Sequence, residues 1–370
     1  MSTQKLFEPL KLGNLTLKHR IVMAPLTRMR ATVPGNTAND MNAVHYGQRA
    51  SEGGLIIAEA SQVVTGGSAA ATTPGIHTPE QVAGWKKVVD AIHAKGGYVF
   101  LQLWHVGRVS HSSLQPDGGA PRAPSAVPMS VKVGTATGER VPAETPRPLL
   151  TEEIPALVAA YAQAARNAIA AGFDGVEIHS ANGYLLEQFL LSKTNLRTDQ
   201  YGGSIENRCR IVLDVTRAIV DAIGPQRTGI RLSPYGVAND SGEADPMPLY
   251  SYLIRQLDTL GLAYLHLIEP RASGAGQGEV DHQDVPSAAK LFRPMWHGVL
   301  ITAGNFRGDS AEAMVAAGDA DAIAFGRLFT SNPDLPKRIM LGAELTPYNR
   351  ATFYSQGAAG YTDFPGMDAA

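Results

Sequence analysis

Apolar positions along this chain alternate between two rhythms. Short, near-continuous apolar runs recur at residues 20–24, 55–60, 98–103, 175–179, 229–232, 264–267, 299–302 and 322–325. Runs of this kind, without polar alternation, suit parallel strands that are covered on both faces. Between them lie stretches with helical spacing. Over 79–95, Val82, Trp85, Val88, Val89 and Ile92 fall on one face, and over 205–223 Ile211, Val215, Ile219 and Ile223 repeat every four residues. Start signals accompany the pattern: Thr151 stands before Glu152 and Glu153 at the head of a helix carrying Ile154, Leu157, Val158 and Tyr161, and Asp309 followed by Glu312 makes a capping-box pattern.

Eight strand–helix repeats predict an α/β fold, a (β/α)8 TIM barrel in preference to an open doubly wound sheet. No internal repeat and no linker divides the chain, so 1–370 is expected to be one domain. Residues 7–17 predict a hairpin or cap that closes the barrel bottom. Residues 105–150, rich in Pro, Ser and Gly, break the alternation and read as an insertion over the barrel mouth, a lid. The aromatic-bearing tail, 348–370, is expected to fold back over the top.

Composition narrows the function. Of the 370 residues 44% are hydrophobic and 18% charged, and a net charge of -2 offers no electrostatic case for nucleic acid or an anionic membrane. Cys209 stands alone, so it closes no internal disulfide and builds no Cys-rich zinc or iron–sulfur site. The N-terminus has no long apolar run behind a basic start. A cytoplasmic enzyme of small molecules, monomer or homodimer, is the expectation.

The candidate chemistry concentrates in Gly175-Val-Glu-Ile-His-Ser-Ala-Asn-Gly-Tyr-Leu-Leu-Glu-Gln-Phe189. Val176 and Ile178 end a buried strand, so His179, Asn182 and Tyr184 emerge together at its C-terminal edge. Two nitrogen donors and a phenol suit a carbonyl: His179 and Asn182 grip the oxygen as charge develops, and Tyr184 delivers a proton to a neighbouring carbon. As a metal site, His-x-x-Asn without a cysteine or carboxylate cluster is poor zinc chemistry, and no metal is expected. A satisfied core histidine and a packing tyrosine are the plain alternatives.

On a barrel the other strand ends face the same mouth. They supply Pro25, Leu26 and Thr27, then Glu59 and Ala60, Gln102 and Trp104, Arg231, Ala303 to Asn305, and Phe325 to Arg327. Gly304, Gly326 and Arg327 lie where barrels commonly hold a phosphate, with exposed amides and a guanidinium for bidentate contact; alternatively the glycines turn the chain and Arg327 pairs with a surface carboxylate. Gln102, Thr27 and Arg231 add a carboxamide, a hydroxyl and a cation around the polar edges of a flat ring. FMN satisfies the set. Trp104 and Tyr354 read equally as core aromatics or as walls of a substrate slot. Residues 195–208 read as a turn-rich lead into a helix, its acids and arginines a structural ion-pair network.

The segments Arg20-Ile-Val-Met-Ala-Pro-Leu-Thr27, Gln102-Leu-Trp-His-Val-Gly-Arg108, Glu177-Ile-His-Ser-Ala-Asn-Gly-Tyr-Leu185, 195–208, Ala322-Ile-Ala-Phe-Gly-Arg327 and Gly360-Tyr-Thr-Asp-Phe-Pro365 resemble motifs of the Old Yellow Enzyme family in the expected order. The resemblance runs from about Leu6 to Pro365. It implies a barrel that binds FMN noncovalently among Pro25, Thr27, Ala60, Gln102, Arg231, Gly304, Asn305, Gly326 and Arg327. By the same likeness His179 and Asn182 take the substrate oxygen and Tyr184 is the proton donor. Thr27 with Trp104 points to the classical branch.

The implied activity is a ping-pong reduction, at the expense of NADPH or NADH, of enones, enals, nitroalkenes or maleimides. Nitro compounds and nitrate esters are further candidates. The chain departs from many family members at Ala70 and at Arg271-Ala272, where aromatic walls are usual, so a wider or more polar slot is expected beside Ile268 and Tyr354. The rival readings are an iron–sulfur flavin dehydrogenase or demethylase, which the lone Cys209 opposes, and a silent barrel that binds phosphate ligands or a partner protein.

Overall fold

Strands that are apolar on both faces leave no free edge when their sheet closes on itself. This chain takes that solution. The structure is a computed structural model that describes residues 5–270 and 285–368, and it contains a closed barrel of eight strands in which each pairs in parallel with the next in sequence. We number them β1 (Ile21–Met23), β2 (Leu55–Gln62), β3 (Tyr98–Trp104), β4 (Gly175–Ser180), β5 (Thr228–Leu232), β6 (Tyr264–Ile268), β7 (Leu300–Ala303) and β8 (Ala322–Phe325). Pairing of Ile323 with Ile21 shuts the circle.

Side-chain alternation splits the apolar core in two. In β1, Val22 joins Phe100, Tyr264 and Ile301 inside the barrel, while Ile21 and Met23 join the shell beneath the helices. The hairpin Leu10–Leu12/Leu15–Leu17 adds Leu12 and Leu17 to the inner cluster, the bottom cap that the sequence predicts. Gly229 makes that layer possible, since a Cβ there would lie 2.4 Å from the Tyr264 ring.

Strand ends differ from the sequence pattern by a residue or two. The largest extension is β2, which runs through a register shift between Ala58 and Ser61 to reach Gln62; polar residues at a bulge carry no apolar signal. The helix Ile205–Ile223 matches its expected span, and Pro79–His93 starts where expected, with Thr78 and Gln81 completing a capping box.

Both predicted caps need correction. Thr151 opens a single 3-10 turn before the helix Ile154–Ala170, and its hydroxyl donates to Asp199. Glu153 does the capping instead: it accepts from Leu150 N at 2.7 Å and pairs bidentately with Arg147. The helix Gly308–Ala316 is capped by Ser310, whose Oγ accepts from Arg307 N at 2.9 Å. Glu312 is drawn away to accept from Lys5 N and Leu6 N, each at 3.1 Å, so it fastens the chain's first described turn.

Within 105–150 a hairpin, Lys132–Gly134/Arg140–Pro142, packs Val133 and its neighbour Met129 against Trp104. Arg108 ties this insertion to the loop after β5, donating to Val127 O, Pro128 O, Asn239 O and Asp240 O, each at 3.2 Å. The tail does fold back: Arg28 Nη2 donates to Gly360 O at 2.7 Å, and Tyr361 stacks on His45 at 3.8 Å. The expected ion pairs of 195–208 are present as Arg197–Asp199 and Arg208–Glu243. Among the described residues no helix is long and apolar enough to cross a membrane.

Candidate active site

A cavity of about 1200 Å³ opens at the C-terminal ends of the strands. Pro25, Leu26 and Thr27 after β1, Gln102 and Trp104 on β3, His179, Asn182 and Tyr184 at β4, Arg231 on β5 and Ile268 on β6 all line it. Ala303, Gly304 and Asn305 after β7 and Phe325, Gly326 and Arg327 after β8 complete the ring, with Ala70 and Tyr354 above. Three predicted residues stand apart. Glu59 and Ala60 are buried and do not line the cavity, and Arg271, with Ala272, lies outside the described residues.

The geometry around β4 is tight. Tyr184 stands edge-on to both Trp104 (4.9 Å, 84°) and His179 (5.0 Å, 81°), so three rings form one wall. Asn182 adopts a left-handed φ of 56°, which asparagine tolerates because its short polar side chain bonds locally. Its backbone N donates to Ser233 Oγ at 2.8 Å and its carbonyl accepts from Asn239 Nδ2 at 2.9 Å, fixing the turn from both sides.

Burial, then the charge of Arg231, hold His179 well below the ordinary histidine range, so a neutral imidazole faces the cavity. Its Nδ1 is buried without a partner. The Tyr184 phenol is pushed up by burial and keeps its proton. A neutral donor beside a protonated phenol is what binding a carbonyl oxygen and protonating its neighbour require.

Beneath them, β4 pairs with its neighbours so that Glu177 meets Gln102 and His179 meets Arg231. Gln102 Nε2 donates to Glu177 Oε1 at 2.7 Å, and His266 Nδ1 lies 2.8 Å from Glu177 Oε2. Anchored by its nitrogen on Glu177, Gln102 lines the cavity with its amide held in place. Arg231 is buried in the same layer with an unpartnered Nε. The unpartnered nitrogens of Arg231 and His179 mark places where a polar ligand is owed hydrogen bonds. On the opposite side Arg327 Nη2 donates to Asn305 Oδ1 at 3.3 Å and its guanidinium lies 5.6 Å from the Tyr348 ring, so the phosphate-like corner is ordered. The donor set fits a flat polar ring that carries a phosphate.

Several wall residues escape the sequence reading. Lys132 and Arg140 on the insertion hairpin, and Arg307, add to Arg231 and Arg327, while no Asp or Glu among the described residues lines the cavity. Their signal was available: Val131, Val133 and Val141 alternate with polar residues around Gly134 and Gly138, a hairpin pattern. The buried acid Glu177 had a signal too, a charge between the apolar Val176 and Ile178 of its strand.

Comparison with known proteins agrees with this geometry. The family model described as NADH:flavin oxidoreductase / NADH oxidase family matches residues 5–346. The chain is 46% identical over 366 residues to 12-oxophytodienoate reductase 1 of Oryza sativa subsp. japonica, covering 98% of this chain and 93% of that one. It is 44% identical over 366 residues to 12-oxophytodienoate reductase 2 of Arabidopsis thaliana, covering 98% and 96%. Among solved structures, morphinone reductase in complex with tetrahydroNAD superposes with a TM-score of 0.91 at 47% identity, covering 98% of each chain.

Proposed function

Because the chain belongs to the NADH:flavin oxidoreductase / NADH oxidase family, the Old Yellow Enzyme family of FMN-dependent NAD(P)H:flavin oxidoreductases, we propose that it reduces carbon–carbon double bonds activated by a carbonyl, nitro or imide group. The names of its relatives specify two substrates, 12-oxophytodienoate and morphinone, so neither is carried over.

The observation that carries the proposal is the shared wall of Trp104, His179 and Tyr184, with a neutral imidazole and a protonated phenol facing one cavity. FMN, when bound without a covalent link, supplies the hydride that it has taken from NAD(P)H. Gln102, Thr27 and Arg231 would hold the ring's polar edges, and Gly304, Gly326 and Arg327 the phosphate. Arg231, buried and cationic, favours negative charge on whatever lies against it. His179 and Asn182 bind the substrate's oxygen and orient its double bond. Tyr184 Oη gives its proton to the carbon next to the activating group. Trp104, Tyr354 and the insertion, 105–150, exclude water from the slot, so that one domain, 1–370, does all of this.

Nicotinamide and alkene enter the same cavity in turn, a ping-pong order. Nitro compounds and nitrate esters present the same kind of oxygen to His179 and Asn182. The test is His179→Ala and Asn182→Ala in the FMN-loaded enzyme. Each is expected to lower kcat/KM for cyclohex-2-enone by roughly 10² to 10³, about 2.7–4 kcal/mol of barrier, with FMN content unchanged. Parent-like turnover in both would refute the oxygen-binding role.

A further inference from the structure

The turn that presents Asn182 and Tyr184 is held from behind by one acid. Glu187, on the wholly buried helix Leu185–Leu190, accepts from Gly183 N at 2.5 Å through Oε2 and from Ser233 Oγ at 2.5 Å and Tyr250 Oη at 2.9 Å through Oε1. Ser233 Oγ in turn accepts from Asn182 N at 2.8 Å. The carboxylate therefore reaches both residues of the left-handed turn, Asn182 through Ser233 and Gly183 directly by its own oxygen. Gly183 is required there: its φ is +75° and a Cβ would lie 2.5 Å from Ala238 O. A turn in this conformation persists only while its surroundings fix it.

We propose that Glu187 is a positioning residue for substrate capture, whose carboxylate form sets Asn182 and Tyr184 against the substrate. The inference rests on the roles given to those two residues above. Three donors surround the acid. The carboxylate meets an amide N–H and two hydroxyls, and an acceptor-only group satisfies all of them. A protonated acid must itself donate. Gly183 N cannot accept, so the proton goes to Ser233 or Tyr250 and one hydroxyl has to turn its hydrogen away; where that hydroxyl is Ser233, the link from the acid to Asn182 N loses its fixed geometry.

Ionisation of this acid lies in a working range. Burial pushes Glu187 up to about 7, against the pull of its hydrogen bonds from Ser233, Gly183 and Tyr250. The groups around it are few. Tyr250 faces it from the helix Pro246–Asp258, itself raised by burial and by Glu187. Cys209, on Ile205–Ile223, and Glu243 face Tyr250, and Glu243 is paired with Arg208 at 3.2 Å. Tyr184 begins the helix that carries Glu187. With the folded value above the usual carboxylate range, the acid is protonated below about 7 and ionised above it, so substrate capture weakens as pH falls through that value.

The experiment uses the FMN-loaded full chain, with cyclohex-2-enone as probe. Glu187→Gln is expected to raise KM for the enone about tenfold at pH 8, the worth of one charge-assisted hydrogen bond, while FMN content stays at the parent value. The parent's KM is expected to rise on going from pH 8 to pH 6, and the variant's to stay flat. Glu187→Asp, still an acceptor, is expected to keep a pH-dependent KM. A Glu187→Gln enzyme with parent KM and a parent pH profile overturns the proposal. Should that variant fail to fold, Tyr250→Phe serves: losing a donor to the carboxylate moves the step to higher pH, and an unmoved step overturns the proposal. His179→Ala is run alongside. If it too leaves enone turnover intact, the site reading fails; if it lowers turnover while Glu187→Gln changes nothing, only the role of Glu187 fails.

Discussion

Replacing Tyr184 with Phe removes one oxygen and leaves the three-ring wall standing. The ring contacts at 4.9 Å to Trp104 and 5.0 Å to His179 do not involve the hydroxyl, so Phe keeps both. What is lost for stability is the hydroxyl's hydrogen bond with the Asn239 side chain, about 1 kcal/mol. What is lost for reaction is a positioned proton, worth roughly 10² to 10⁴ in rate, or about 2.7–5.4 kcal/mol of barrier. The two costs are separable by measurement. In anaerobic stopped flow, NADPH should bleach the variant's flavin absorbance at the parent's rate, while reoxidation by cyclohex-2-enone should slow by at least about 10².

The pH behaviour sharpens this test. Burial holds the Tyr184 phenol above its ordinary range, so it carries its proton at every pH at which the enzyme is handled. The loss in Tyr184→Phe should therefore be the same at pH 6 and pH 8. Equal slowing of bleaching and reoxidation would mean that Tyr184 binds rather than protonates. Unchanged reoxidation would mean that the proton comes from another group, and the reasoning from ring geometry would be wrong.

Two further perturbations probe the walls and the floor. Ala70→Tyr restores an aromatic wall to the slot and should depress turnover of bulky enones relative to cyclohex-2-enone; an unaltered size preference across a graded enone series would show that Ala70 does not bound the substrate. Glu177→Leu strips the acceptor from Gln102 Nε2 and His266 Nδ1 and leaves Arg231 buried without its nearest anion, which should cost about 3–5 kcal/mol, read from the urea midpoint of the FMN-loaded enzyme. A parent-like midpoint would show that the pair is dispensable to the fold.

The barrel and most of its mouth were legible because two periodicities do not overlap: continuous apolar runs mark the strands, and spacing near four residues marks the helices. Strand ends on such a scaffold face one way, so Gln102, His179, Arg231 and Arg327 follow once the strands are found. Caps were misread for a physical reason. Thr151 and Glu312 have the chemistry to cap their own helices, but Asp199 and the backbone of Lys5 and Leu6 compete for them from far along the chain. Local pattern carries no information on such partners. Glu187 was hidden differently. In Leu-Leu-Glu-Gln-Phe-Leu it looks like the polar face of an amphipathic helix, and only the packing of Ser233 and Tyr250 around it reveals that the face is buried.

Charge is distributed around the cavity in two layers, and the layering explains both what the site attracts and why its acids were hard to read. Cations form the lining, from Lys132 and Arg140 on the hairpin to Arg231 and Arg327 on the barrel. Carboxylates stand one layer back, each spent on backbone or side-chain donors: Glu59 accepts from Arg28 N at 3.0 Å, Glu177 holds Gln102 and His266, Glu187 the turn at Gly183, and Glu269 the amide of Ala288 at 2.8 Å. A bare carboxylate on the lining, about 6 Å from a ring gaining negative charge, would oppose that charge by roughly 3 kcal/mol at an effective dielectric constant near 20. Set behind, the same groups orient the loops that carry the neutral donors, and they are screened from the ligand by the hydrogen bonds they accept. The acids behind this cavity therefore serve precision of placement while its lining is cationic, and on the reading proposed for Glu187 an acid pushed up to about 7 by burial alters geometry rather than the charge of the lining.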